Sequence, residues 1–145
     1  MTTRLETLTK NIKTILGEKA TKLSVNLDEL TIECASKDLF KVSKTLRDHK
    51  KLQFEQMIDL CGVDYSDYKE GTWEGARFAA VLQLLSVKHN WRLRLRVFAD
   101  DDSFPVVDSV TGVWPNANWY EREAFDLYGI MFSGHADLRR LLTDY

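Results

Sequence analysis

The stretch Phe78-Ala79-Ala80-Val81-Leu82-Gln83-Leu84-Leu85-Ser86-Val87, followed by Lys88-His89-Asn90-Trp91 and then by Arg92-Leu93-Arg94-Leu95-Arg96-Val97, decides the fold. Its first part is apolar at odd and even positions alike, the pattern of a central strand covered on both sides. Its last part alternates strictly, as a half-buried strand does. The residues between them can turn tightly, because His and Asn tolerate left-handed backbone better than most residues. Two strands joined so closely run antiparallel. Arg92, Arg94 and Arg96 then share one face, spaced about 6.6–6.8 Å apart. Such a row reads first as a solvated face, and second as a face for an acidic partner.

The pattern extends in both directions. Upstream, Leu30-Thr31-Ile32-Glu33-Cys34 alternates as a strand, and another strand is expected within residues 56–65. Leu5, Leu8, Ile12 and Ile15 recur at helical spacing, with Thr3 and Glu6 as a capping box and Gly17 as the stop. Leu39, Val42 and Leu46 mark a second helix that Ser36 would cap. It ends in Arg47, His49, Lys50 and Lys51, cations suited to the negative end of the helix dipole. The polar residues 66–75 read as a loop, as do Asp100-Asp101-Asp102. Downstream, Pro105 to Val107 predicts a short edge strand, and Ser109 would cap a short helix that Pro115 ends. A last helix is expected from Trp119 to Tyr128, with Asn118 and Glu121 at capping-box spacing and Gly129 as the stop. Helices first, strands in the middle and helices again predict an α+β fold. Residues 1–145 would form one domain, a largely antiparallel sheet with helices packed against it.

Composition narrows the function. A chain of 145 residues with 44% hydrophobic and 29% charged residues, 7 Gly and 2 Pro is neither collagen-like nor broadly disordered. Twenty basic and 22 acidic side chains give a net charge of −2, so a chain-wide basic footprint for nucleic acid is absent. No run of apolar residues reaches membrane-spanning length. Cys34 and Cys61 stand far apart without CxxC or neighbouring His, so neither a disulfide framework nor a zinc site is indicated. An iron–sulfur cluster held by this chain alone is not indicated either, since such clusters take four ligands as a rule. Nucleotide-binding glycine motifs are missing.

The densest polar cluster runs from Trp119 to Arg140. On the expected helix Trp119, Glu123 and Asp126 share a face, Arg122 borders it and can reach Asp126, and Tyr120, Ala124, Leu127 and Tyr128 form a packing face. Glu121, Glu123, Asp126, His135 and Asp137 are rich enough in acids and bases for hydrolysis or metal binding. Yet there is no HExxH, and no second histidine lies near His135. A solvated helix face is the plain alternative. Ion pairs on a helix surface contribute only about 0.2–0.5 kcal/mol each, too little to account for four charges beside a tryptophan.

Trp114-Pro115-Asn116-Ala117-Asn118-Trp119-Tyr120-Glu121-Arg122-Glu123-Ala124-Phe125-Asp126-Leu127-Tyr128-Gly129-Ile130, with Phe132, Gly134-His135 and Asp137-Leu138-Arg139-Arg140-Leu141-Leu142, closely resembles a signature of the 30 kDa subunit of respiratory NADH dehydrogenase. In bacteria that family supplies the C subunit of NADH:quinone oxidoreductase, or respiratory complex I. Two departures stand out: Ala136 occupies a position where the family usually has Pro, and family members continue beyond Tyr145, which implies truncation at the C-terminus. The resemblance implies a non-catalytic structural subunit of the hydrophilic arm, holding its neighbours near the quinone site. The complex passes electrons from NADH to quinone and couples this to proton translocation, whereas the isolated chain is expected to be inactive. FMN, iron–sulfur clusters and NADH would belong to partner subunits, and this chain would hold no cofactor and no metal. Its expected partners are other hydrophilic-arm subunits, especially the large subunit beside the quinone site, and neither nucleic acid nor a membrane span. The implied location is the cytoplasmic face of the bacterial inner membrane, or the matrix side in an organelle, peripheral through the complex. Trp119, Glu121, Arg122, Glu123, Asp126, His135, Asp137, Arg139 and Arg140 are the signature or interface candidates, with Arg92, Arg94 and Arg96 as a further interface. The alternatives are a stand-alone binding module using that arginine face, and a small enzyme using Glu123, His135 and Asp137.

Overall fold

In the computed structural model, which describes residues 2–65, 76–103 and 105–134, the decisive stretch forms the centre of a five-stranded sheet. The elements in chain order are α1 (Thr2–Leu16), β1 (Lys22–Asn26), β2 (Glu29–Ala35), α2 (Leu39–Asp48), β3 (Gln56–Asp64), β4 (Phe78–Ser86), β5 (Trp91–Phe98), β6 (Val106–Asp108), α3 (Ala117–Tyr128) and β7 (Met131–Ser133). The sheet order is β1-β2-β5-β4-β3, antiparallel throughout except for the parallel pair β2 and β5. The expected α+β class and mostly antiparallel sheet are therefore found. Asn90 takes the left-handed backbone (φ 56°) that the β4–β5 turn requires.

Register explains where the core sits. Leu30, Leu93 and Leu84 lie side by side across β2, β5 and β4, as do Ile32, Leu95 and Leu82. All six are buried, together with Leu8 and Ile12 of α1, Val42 and Leu46 of α2 and Ala124 of α3. The three helices thus share one face of the sheet. The opposite face carries Glu29, Thr31 and Glu33, the three arginines, Gln83 and Cys61, with no helix over it among the described residues. At one point helix and sheet nearly touch. A Cβ on Gly62 of β3 would stand 2.7 Å from the Tyr128 ring and 3.1 Å from Ile130, so only glycine fits without displacement.

Several local expectations give way to tertiary partners. α1 already includes Thr3, which is therefore not its N-cap, whereas Gly17 (φ 56°) does mark its end. Ser36 opens a short 3-10 turn ahead of α2, and its hydroxyl bonds Asp100 at 3.1 Å instead of capping the helix. Ser109 starts no helix: both Val113 and Trp114 bond back to the Val110 carbonyl in consecutive turns. Asn118 lies inside α3, which begins at Ala117 without a side-chain cap. Gly129 (φ 73°) ends α3 as expected. The edge strand near Pro105 is β6, but it pairs in parallel with β7 in a separate two-stranded sheet. The predicted loop at 66–75 lies outside the described residues.

β1 is the strand that sequence reasoning missed. It alternates polar and apolar over only five residues, Lys22 to Asn26, and the hairpin turn into β2 is built from Leu27 and Asp28, both with positive φ (52° and 62°). Such a turn is ordinarily announced by Asn-Gly or Asp-Gly.

Candidate functional site

The signature segment divides into residues that look inward and residues that look out. Glu121 is fully buried, and its carboxylate accepts from the Ser109 hydroxyl and from the Val110 N–H, both at 2.7 Å. Trp114, also buried, donates its indole N–H to the Phe54 carbonyl at 3.1 Å. Asn116 donates its amide to the Met57 carbonyl at 2.8 Å. Arg47 of α2 reaches the Val113 carbonyl from the other side at 2.8 Å. These bonds hold residues 109–116 and the start of α3 against the rest of the fold. Those of Glu121 and Trp114 satisfy buried polar groups that would be costly to leave unpaired in the interior. Glu121 is therefore not part of an outward charged face. Its spacing from Asn118 imitates a capping box, but its partners come from residues 109 and 110.

Outward, α3 presents Trp119, Arg122, Glu123 and Asp126, all exposed. The Trp119 indole, 64% exposed, donates to Glu123 Oε1 at 2.7 Å, so ring and carboxylate are held together at the surface. Arg122 and Asp126 form no ion pair with each other, contrary to the reach expected from their spacing. Leu127 is 73% exposed and does not join a packing face, while Tyr120 and Tyr128 are only partly covered. Helix spacing alone put Leu127 inward. In the structure α3 buries a narrower stripe, Ala117, Glu121 and Ala124. A shallow hollow lined by Pro115, Asn116, Asn118, Trp119, Tyr120 and Arg122 adjoins this outer face. Of the other signature candidates, His135, Asp137, Arg139 and Arg140 lie outside the described residues.

The arginine row is placed on one face as expected, but it is not a run of free cations. Arg94 pairs with Glu29 at 3.1 Å and Arg96 with Glu33 at 2.8 Å, both glutamates on the neighbouring β2. Arg96 also donates to the Tyr65 hydroxyl at 3.3 Å. Burial pulls the Arg96 guanidinium's pKa down, and the bonds to Tyr65 and Glu33 more than offset it, leaving the net shift upward. Arg92 is exposed with no ion partner among the described residues. The parallel β2–β5 pairing that creates these bridges joins strands far apart in the chain, and no local pattern announces it.

The two thiols face opposite sides of the sheet. Cys34 is buried on the helix side. Burial, aided by Asp38, Asp108 and Glu33, pushes its pKa from 9.0 up to about 12. Cys61 is exposed, and partial desolvation together with Asp59 moves its pKa upward against the opposing pull of Arg94. No three His, Cys, Asp or Glu residues among those described converge on a common point.

Comparison with known proteins agrees with the signature. The family model described as respiratory-chain NADH dehydrogenase, 30 Kd subunit, matches residues 32–145. The chain is 61% identical to the NADH-quinone oxidoreductase C subunit of Dechloromonas aromatica, over all of this chain and 72% of that protein. The equivalent protein of Aromatoleum aromaticum is 56% identical over the same shares. Among solved structures, a trypsin-resistant fragment (1-134) of Nqo5 superposes with a TM-score of 0.71 at 28% identity, covering 91% of this chain and 97% of that one. A chain of the membrane-bound sulfane sulfur reductase, an archaeal respiratory membrane complex, has the same fold at 20% identity, with a TM-score of 0.67, covering 87% of this chain and 70% of that one. The matched residues include all of α3, and the chain belongs to the family of the 30 kDa subunit of respiratory-chain NADH dehydrogenase.

Proposed function

We propose that this chain is a non-catalytic structural subunit of the hydrophilic arm of NADH:quinone oxidoreductase, holding neighbouring subunits in register near the quinone site. The observation that carries the reading is the division of α3. Its inward carboxylate is consumed by intrachain bonds, while Trp119, Arg122, Glu123 and Asp126 stand exposed, and among the described residues no side-chain bond beyond that of Trp119 to Glu123 engages them. Trp and Arg are the residue types that carry most binding energy at protein interfaces. The favoured partner is the large subunit beside the quinone site. Electron transfer from NADH to quinone and proton translocation are properties of the complex, and the isolated chain is inactive. FMN, iron–sulfur clusters and NADH belong to its partners. The placement of Cys34 and Cys61 on opposite sides of the sheet supports this, because they cannot share one ligand sphere. No helix among the described residues is long and apolar enough to cross a membrane. This fits attachment through partner subunits at the cytoplasmic face of a bacterial inner membrane, or the matrix side in an organelle.

Arg122→Ala and Glu123→Ala test the proposal in the membrane-bound complex. Stranding one member of a charge pair buried at an interface costs about 2–5 kcal/mol. Both changes should therefore lower the amount of assembled complex, with NADH:quinone activity falling in proportion, while the purified chain keeps its stability within about 1 kcal/mol. A complex assembled in normal amount but turning over at a small fraction of the usual rate would make these residues mechanistic and overturn the structural reading.

A further inference from the structure

The two edges of the main sheet differ. At the β3 edge, the register slips between Met57 and Asp59, Ile58 stands out, and the adjoining Met57 carbonyl is taken by the Asn116 amide. A bulge and a side-chain bond are how natural sheets blunt an edge. At the β1 edge, all five residues from Lys22 to Asn26 pair in regular register with β2, and no side chain among the described residues bonds the β1 backbone. In an antiparallel ladder about half of an edge strand's N–H and C=O groups point away from its neighbour. Those of β1 face no further strand among the described residues.

The surface beside this edge is shaped. Val25 pairs with the buried Leu30, so its side chain lies on the helix side of the sheet, yet it is 50% exposed. α1 does not reach over it. Between the flank of α1 and Val25 runs a groove of about 520 Å³, with Leu5, Thr9 and Val25 along its apolar part and Lys10 and Lys13 on its rim. Neither lysine has an ion partner among the described residues, and Glu6 is the one acid in the lining. A strand laid along β1 would sit about 4.7–4.9 Å away. Every second side chain would enter the groove, against Leu5 and Val25 and beneath the two lysines.

We propose that the β1 edge and the α1 groove form a strand-addition site for an extended acidic segment of another protein, with apolar residues at alternate positions. Main-chain bonds to β1 supply affinity, and the groove selects side chains. A second copy of this chain fits poorly. Antiparallel pairing of two β1 edges would merge the two grooves and set Lys10 and Lys13 of each copy against those of the other, a like-charge meeting that disfavours association. The site is separate from the outer face of α3, and its test reads binding to the chain alone, so it stands or falls independently of the assembly proposal.

The probe is a blocked seven-residue peptide, ETVTVTE, whose odd positions place two valines in the groove and a glutamate at each end, with KTVTVTK as the charge-reversed control. Titrated at low salt into the isotopically labelled chain, ETVTVTE should shift the backbone amides of residues 22–26 and the α1 flank saturably, and bind about tenfold or more tightly than KTVTVTK. Val25→Asp should abolish the shifts and leave the thermal transition in place, because that side chain is half exposed. Lys10→Glu combined with Lys13→Glu should reverse the order of the two peptides. Millimolar peptide producing no saturable shift, shifts mapping elsewhere, or equal binding of both peptides would overturn the proposal. So would concentration-dependent shifts of residues 22–26 without peptide, which would assign the edge to a second copy.

Discussion

Glu121 shows how one residue can belong to a signature and yet serve the fold. Its carboxylate is the acceptor for the Ser109 hydroxyl and the Val110 N–H in a fully buried position. Glu121→Ala removes both acceptors and leaves a buried N–H unpaired, at a cost of about 1–3 kcal/mol. Arg122→Ala, one residue along and exposed, should stay within about 0.5 kcal/mol in the isolated chain. Urea unfolding of the two variants side by side checks the contrast. The thiols offer a second residue-scale test. Native protein should react with one equivalent of a thiol reagent, at Cys61, and take up the second only when unfolded, because Cys34 is buried and stays protonated. That raised pKa also sets a pH dependence. Above pH 9.0 the unfolded chain releases the Cys34 proton while the folded chain holds it until about pH 12, so stability falls as pH rises through that window. Comparing stability against pH for wild type and Cys34→Ala isolates the effect: the variant's curve should be flatter between those limits.

At the scale of elements, two junctions are tuned in opposite senses. Gly62 is shaped to its surroundings, because a methyl group there meets the Tyr128 ring at 2.7 Å. Gly62→Ala should push α3 and its following turn off β3 and cost about 1–3 kcal/mol, as overpacking does. The β1–β2 turn is instead poorly suited to its backbone. Leu27 holds a left-handed conformation (φ 52°) while 94% exposed, so it is strained and buries nothing in exchange. Left-handed backbone costs an ordinary residue about 1–2 kcal/mol, and Asn tolerates it better. Leu27→Asn should therefore raise the melting temperature, reflecting about 0.5–1 kcal/mol, and calorimetry of the two variants would show the opposite signs directly. The arginine row belongs to this scale too. Arg92→Gln should be silent, whereas Arg96→Gln strands the half-buried Glu33 and should cost about 1 kcal/mol.

For the molecule as a whole, the class of fold and the family were legible in the chain itself. Alternation in 91–97, apolarity on both faces of 78–85 and helical spacing in α1 and α2 follow from local periodicity, and they survive folding because the same apolar stripes form one core. Gly17 and Gly129 stopped their helices for an equally local reason, their positive φ. The signature was legible as well, being a contiguous run of residue types. What tertiary structure decided is which of those residues are spent inside. Whether Glu121 faces solvent or the Ser109 hydroxyl, whether Arg94 and Arg96 are free or bridged to Glu29 and Glu33, and whether Ser36 caps a helix or bonds Asp100 all depend on partners from elsewhere in the chain. The same holds for the parallel β2–β5 pairing and for the open edge at β1. Periodicity encodes which side of an element is apolar. It carries nothing about which distant polar group will stand opposite, and a buried carboxylate and an exposed one are written with the same residue.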